Sequence, residues 1–286
     1  MKYEKAVFLI IFVLSGAGIY LAQISMGSPS KYAFQEEKGG IQEVALISVY
    51  DNYQVNPELK TDWGFGTVLK TPEEILLFDT GGDSEVLLFN MKKMNIDPKS
   101  IDKIIISHIH ADHVGGLKGF LEKNHKVTVF LPSSFPDSVR NMITSLGAEF
   151  RNVSGPQKIS DHVFSTGELY GPPIEQSLVI HSKKGLIVIT GCGHPGITNI
   201  IKKTEEMFPK RKVYLAVGGF HHPPIAVVQE LRKLGVDKVA PSHCTGDRVI
   251  EAFGKEYKED FIEYGVGKII DVMETKLEKT LKSVEE

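Results

Sequence analysis

Three histidines and one aspartate fall within six residues of the segment 107–116, which reads SHIHADHVGG. Neutral imidazoles and carboxylates are the usual nitrogen and oxygen ligands of zinc and similar divalent ions. His108 and His110 are two residues apart, so in an extended segment they project to the same side and can hold one ion. Asp112 and His113 follow where the chain turns into a helix, and can reach a second ion. The spacing therefore predicts a metal centre.

The element that must position this centre is the run of three isoleucines at 104–106 directly before it. Such a run is typical of a strand buried on both faces, in a sheet covered by helices. Open α/β sheets place their sites in the loops at the carboxyl ends of such strands. We therefore expect the histidine segment to lie at the edge of a central sheet.

Further segments combine glycine with residues that bind metals or substrates. They are 78–82 (FDTGG), 190–196 (TGCGHPG), 218–221 (GGFH) and 242–246 (SHCTG). With the histidine segment, they resemble the motifs of the metallo-β-lactamase superfamily. Within it they are most similar to the branch of dihydropterin-type synthases of the methanopterin pathway. The resemblance covers residues 43–270.

The resemblance implies the fold and completes the ligand sets. The fold is α/β (α+β), an αββα sandwich with a site for one or two ions at one edge. His194 joins the first two histidines of the segment at the first ion, and three protein ligands leave the open position that a catalytic ion needs. His243 joins Asp112 and His113 at the second ion.

Asp79 and His221, near the glycine turns, and Asp112, in the histidine segment, are candidates for positioning or catalytic roles. In the family, an aspartate in the place of Asp79 orients the histidine loop by hydrogen bonds and is not itself a ligand; a simple turn before two glycines is the alternative. His221 is a candidate substrate-binding or acid–base residue, with an ordinary polar loop as the alternative. Asp112 is the candidate residue that orients the attacking water and accepts its proton.

The chain has two cysteines, and each neighbours a predicted ligand. Much of the superfamily has a metal-bridging aspartate after a Thr–Gly pair, but here Thr190 and Gly191 are followed by Cys192. Either Cys192 is a soft ligand, or the second ion is held more weakly, or only one ion binds. A site role is favoured over a disulfide with Cys244, although a single pair does not exclude one.

Length and charge set the class of protein. The 286 residues suffice for one large α/β domain, predicted over 43–286. The net charge of −3 gives no electrostatic footprint for nucleic acid. We expect a small-molecule substrate and no nucleic-acid partner.

The N-terminal residues 1–27 are predicted to lie outside this domain. Lys2 and Lys5 precede residues 6–24, which contain no charge and are nearly long enough to span a bilayer. The prediction is an uncleaved membrane anchor with the domain outside the cytoplasm, with a cleaved signal peptide and a secreted protein as the alternative. Residues 28–42 are predicted to be a linker, and the charged tail 271–286 to be helical.

The predicted reaction is hydrolysis. A divalent ion with an open position lowers the pKa of bound water to about 7 and polarises an ester or phosphoryl oxygen. The substrate class is an ester, lactone or phosphoester, and the metal is one or two Zn²⁺, with Mn²⁺ or Fe²⁺ as alternatives. The branch resemblance implies a different class, a synthase acting on a pterin. A third hypothesis is a non-catalytic, membrane-tethered metal-binding module.

Overall fold

The computed structural model describes residues 10–15, 18–23, 33–34 and 39–273. Its strands are β1 Ile10–Ser15, β2 Gly18–Gln23, β3 Glu43–Asp51, β4 Phe65–Lys70, β5 Ile75–Phe78, β6 Lys103–Ile105, β7 Thr128–Pro132, β8 Glu149–Val153, β9 Gln157–Ser160, β10 Val163–Ser165, β11 Leu178–Ser182, β12 Gly185–Thr190, β13 Val213–Gly219, β14 Lys238–Ser242 and β15 Ile269–Met273. Its helices are α1 Ser84–Lys93, α2 Ala111–Val114, α3 Leu117–Leu121, α4 Asp137–Ser145, α5 Ile197–Met207, α6 Ala226–Lys233 and α7 Asp247–Tyr257.

Two sheets face each other between two layers of helices. One sheet has the order β15-β3-β4-β5-β6-β7-β8, and the other β14-β13-β12-β11-β10-β9. Successive side chains of a strand point to opposite faces of its sheet, so each sheet contacts the other sheet on one face and helices on the other. Ile105 of the first sheet and Ile187 of the second both lie in the core between the sheets. Ile104 packs in the outer core with α1, α3 and α4, and Val188 packs with α5, α6 and α7. The predicted αββα sandwich is confirmed.

The parallel strands bring the polar loops to one edge. β5, β6 and β7 run parallel in the first sheet, and β12, β13 and β14 run parallel in the second. The loops that follow β5, β6, β12, β13 and β14 contain the histidine segment and the four glycine-containing segments named in the sequence analysis. Since the carboxyl ends of parallel strands share an edge, residues more than a hundred positions apart meet there.

The N-terminal segment is described in part. Within residues 6–24, β1 and β2 pair antiparallel. None of the helices in the described residues is long and apolar enough to span a bilayer. The predicted transmembrane or signal segment is therefore not confirmed, and the rest of it lies outside the described residues. In the predicted linker, the Phe34 N–H donates to the Met207 carbonyl at 3.0 Å, and its ring packs on Phe164 and Phe208.

The predicted helical tail is wrong at its beginning. Residues 269–273 form the edge strand β15, which pairs antiparallel with β3. Ile270 and Val272 are buried while their neighbours are exposed, so burial alternates with the period of a strand. The residue types do not alternate, because the exposed Ile269 and Met273 are apolar as well. Residues 274–286 lie outside the described residues.

Candidate metal centre

The predicted ligands form two donor sets at this edge. His108, His110 and His194 form the first, and each offers a ring nitrogen within 4.8 Å of the others. Asp112, His113, Cys192 and His243 form the second by the same measure. His108 Nε2 lies 3.2 Å from His110 Nδ1. In the second set, Asp112 Oδ2 lies 3.5 Å from His113 Nε2 and 3.3 Å from His243 Nε2.

Asp79 lies behind both sets. It has a positive φ of 58°, and its Oδ1 accepts the Ser107 N–H at 2.7 Å. Its Oδ2 accepts the Ser107 hydroxyl at 2.7 Å and lies 2.7 Å from His113 Nδ1. The Ser107 hydroxyl proton is thereby used, so at 2.9 Å the Ser107 oxygen accepts from His108 Nδ1.

These contacts fix which ring nitrogen is presented to the centre. With Nδ1 donating to Ser107 or Asp79, His108 and His113 both direct Nε2 towards the donor sets. His243 follows the same rule, because its Nδ1 donates to Asn52 Oδ1 at 2.8 Å. Second partners of this kind set the tautomer and ring orientation of metal-binding histidines.

The electrostatic environment keeps two imidazoles of the first donor set, His108 and His194, neutral. Burial, reinforced by the neighbouring imidazoles, holds the pKa of His108 well below its usual range. Burial also lowers the pKa of His194 to about 4. In the second set, burial lowers the pKa of His113, but the Asp79 and Asp112 carboxylates outweigh it and raise that pKa to about 10. Neutral imidazole is the form that binds metals.

The donor atoms fit a divalent ion. His194 Nε2 is buried and makes no hydrogen bond to any described residue. A buried polar atom without a hydrogen bond destabilises the folded state unless another partner, such as a bound ion, contacts it. Three imidazoles suit zinc and its neighbours in the transition series, and an added carboxylate and thiol suit a second, borderline-soft ion.

Glu175 holds the loop that carries two of the donors. It is fully buried, and its Oε1 accepts the N–H groups of Gly191, Cys192 and Gly193 at 3.1, 3.0 and 2.9 Å. Its Oε2 accepts the His194 N–H at 2.8 Å. Burial raises the pKa of Glu175, while the N–H groups of Gly193 and His194 act in the opposite direction. The sequence offered no signal for this residue, an isolated glutamate after two prolines.

Cys192 stands between the second donor set and another pair of residues. Its Sγ lies 3.2 Å from His113 Nε2, and it also groups with His221 and Cys244 within 4.8 Å. Both cysteines are free and buried. The Cys244 thiol contact and burial raise the pKa of Cys192. His221 is exposed, and its ring centroid lies 4.0 Å from that of His194.

Close backbone approach explains two of the glycines. A Cβ on Gly191 would lie 2.1 Å from Ser107 Oγ and 2.8 Å from Asp79 Oδ2. A Cβ on Gly64, where φ is +144°, would lie 2.3 Å from the Asp112 carbonyl oxygen. Side chains at these positions would displace the loops that bear the donors.

Fold and donor sets together define a metal-binding αββα sandwich of the metallo-β-lactamase type. The profile of the metallo-β-lactamase superfamily matches residues 64–133. A relative from Methanocaldococcus jannaschii, 7,8-dihydropterin-6-methyl-4-(β-D-ribofuranosyl)-aminobenzene-5′-phosphate synthase, is 34% identical, and the match covers 68% of this chain and 83% of the relative. The chain belongs to the metallo-β-lactamase superfamily, and both parts of the predicted resemblance are confirmed.

Solved structures agree with this assignment. Tm1679, described as a metal-dependent hydrolase of the β-lactamase superfamily, superposes with a TM-score of 0.69 at 26% identity, over 81% of this chain and all of that one. The short form of human tRNase Z superposes with a TM-score of 0.51 at 16% identity, over 79% of this chain and 98% of that one. The second likeness concerns the fold alone.

Proposed function

We propose that this protein is a metal-dependent hydrolase that cleaves an ester, lactone or phosphoester bond of a small molecule. The observation that carries the proposal is the pairing of a three-imidazole set with an adjacent carboxylate-containing set. His108, His110 and His194 would hold the first ion. Asp112, His113 and His243 would hold the second, with Cys192 as a soft ligand. The proposed metal is zinc, with Mn²⁺ or Fe²⁺ as alternatives.

When bound, a divalent ion lowers the pKa of water and polarises the oxygen of the scissile group. The protein's own contribution begins with Asp112. Burial opposes ionisation of Asp112, but its contacts with His113 and His243 outweigh burial and hold its pKa well below the usual range. Its side chain is 21% exposed, so a carboxylate oxygen can orient the attacking water and accept its proton.

His221 is proposed to contact the substrate on the other side. It is exposed beside His194, and burial together with His222 lowers its pKa. A neutral imidazole there can donate a hydrogen bond to the substrate or to the departing group. Its φ of 51° is rare for a residue with a Cβ, and such conformations concentrate at functional sites.

A substrate panel tests the proposal. Metal-free protein is reloaded with zinc, manganese or iron(II) and offered carboxylic esters, lactones and phosphodiesters. We expect turnover of at least one class, lost in the His108→Ala/His110→Ala double variant together with metal content. Metal-loaded protein that turns over none of the panel would favour a binding module. Equal metal content in wild type and double variant would reject the ligand assignment.

A second candidate is the synthase reaction of the M. jannaschii relative. The observation that favours it is the 34% identity across 83% of that relative. The discriminating experiment is to look for the product named for that protein when its precursors are supplied, beside the hydrolysis panel. The product without any hydrolysis would overturn the hydrolase proposal.

A further inference from the structure

We propose that Trp63 is a stacking platform for a planar, uncharged aromatic group of the substrate, beside the second donor set. The proposal deepens the proposed function, because it assigns a chemical class to what that site binds. It starts from the position of Trp63 in the loop between β3 and β4. The ring centroid of Trp63 lies 4.9 Å from that of His243, at an interplanar angle of 52°.

The indole is placed at the metal edge and still open to solvent. Trp63 is 52% exposed. This exposure is unfavourable in itself, because it leaves a large apolar surface in water. One side of the ring is in contact with a residue of the second donor set, and the exposed remainder is available to a ligand. A group bound at that set would lie within reach of the indole.

The backbone of this loop is fixed. The Trp63 N–H donates to Asp62 Oδ1 at 2.8 Å, and Asp62 Oδ2 accepts the Tyr50 hydroxyl at 3.0 Å. On the other side, the Gly64 backbone lies directly against the Asp112 carbonyl. Because the backbone is fixed on both sides of Trp63, only its side-chain torsions remain to be ordered on binding, which lowers the entropic cost of stacking.

Other exposed apolar side chains share the edge. Ile109 lies between the first two histidines, and Ile225 follows the loop of His221. Tyr170, 87% exposed, precedes Gly171, whose backbone lies against the His194 carbonyl. Several loops near the donor sets therefore expose apolar side chains, as is typical of a ligand-binding surface.

The charges around the donor sets favour an uncharged ring. The described segments 109–113, 170–174, 191–196, 220–225 and 242–247 contain no lysine or arginine. In the Trp63 loop, Lys60 places its ammonium over the Phe89 ring at 4.5 Å. Asp62, the residue before Trp63, adds a carboxylate to this loop. None of these segments therefore supplies a lysine or arginine to pair with a negative group stacked on Trp63.

The test compares two carboxylic acids with the same carbon skeleton, the planar aromatic 2-naphthoate and the saturated, puckered decahydro-2-naphthoate. Both offer the same carboxylate to the zinc-loaded, full-length protein, and calorimetry measures each affinity. We expect 2-naphthoate to bind about 3- to 10-fold more tightly, the range of aromatic pairing. Trp63 is the only tryptophan, so its indole N–H gives one NMR signal, which the aromatic ring current should shift.

Variants of Trp63 show whether a preference for 2-naphthoate comes from aromatic stacking or only from apolar contact. Trp63→Leu should reduce the preference to less than twofold, and Trp63→Phe should retain most of it. Ile269→Ala, which removes exposed apolar surface on β15, is the control and should keep the wild-type ratio. Zinc content of each variant reports whether the centre is intact. Equal binding of both acids, a preference that survives Trp63→Leu, or no binding of either acid would overturn the inference.

The inference and the proposed function can fail separately. Trp63-dependent binding of 2-naphthoate without turnover of any ester would support the platform and count against the hydrolase. Hydrolysis of aliphatic and aromatic esters at equal rates, unchanged by Trp63→Leu, would retain the hydrolase and overturn the platform.

Discussion

Asp79 Oδ2 lies 2.7 Å from His113 Nδ1, and both side chains are fully buried. The same carboxylate oxygen accepts the Ser107 hydroxyl, which in turn contacts His108 Nδ1. One carboxylate thus orients an imidazole of each donor set, directly in the second and through Ser107 in the first. The two proposed metal positions are linked by this contact.

Asp79→Asn should therefore weaken metal binding at both positions. An amide cannot accept from Ser107 and His113 as the carboxylate does, so both imidazoles lose their fixed orientation. We expect losses of roughly 10- to 100-fold in affinity, the usual effect of removing such a partner. Calorimetric titration of metal-free protein measures both steps. Asp137→Asn, at an exposed carboxylate, is the control, and a loss confined to one step would contradict the linkage.

Metal uptake at the second position should release a proton and tighten as pH rises. Because the pKa of His113 is raised to about 10 in metal-free protein, this imidazole is protonated at neutral pH and must lose a proton to bind through Nε2. Apparent affinity should rise at least tenfold per pH unit between about pH 7 and 9, and more steeply where Cys192, whose pKa is also raised, binds as a thiolate. Calorimetry in buffers of different ionisation enthalpy counts the protons. A pH-independent second step would show that His113 is not its ligand.

Glu175→Gln should destabilise the fold and weaken the first metal position. The amide cannot accept four N–H groups, and its own NH₂ faces donors. We expect the free energy of unfolding to fall by about 2–3 kcal/mol, as for the loss of buried hydrogen bonds to a charged group. Urea unfolding of metal-free protein measures it, and Glu149→Gln at an exposed position is the control. Unchanged stability would mean that the loop holds its shape without the carboxylate.

Substitution of Cys192 should act on the second metal position. A thiolate there carries one charge and bridges less well than a carboxylate, so wild type should bind one tight and one weaker ion. Cys192→Asp should tighten the second step by roughly 1–3 kcal/mol through charge-assisted contacts. Cys192→Ser should leave the first step nearly unchanged. Two equal, tight steps in wild type, insensitive to these changes, would exclude Cys192 from the centre.

The clustering of the histidines and the strand before them could be predicted from the sequence because their signals are local, whereas the αββα arrangement came from the family resemblance. The isoleucine run before His108 marks a doubly buried strand, and the ligand types lie within a few residues of each other. His194 and His243 lie far away in sequence, and only the family resemblance brought them to the same edge. Cys192 was noticed as a departure from that pattern.

Other parts of the centre had no local signal. Glu175 acts through the backbone of residues 191–194, and no motif marks a side chain that binds main-chain N–H groups. The Asn52 contact with His243 joins residues 191 positions apart, so spacing alone could not indicate it. The residue types of β15 do not alternate, because two of its three exposed positions, Ile269 and Met273, are apolar.

The Glu175 carboxylate also determines when the centre becomes ordered. Four N–H groups of residues 191–194 are fixed by a residue of the protein itself, so the conformational entropy of this loop is lost during folding. An arriving ion then meets donors that are preorganised, and little of its binding free energy is used to order them. Removal of the metal with a chelator should accordingly leave the hairpin β11–β12 and its loop in place.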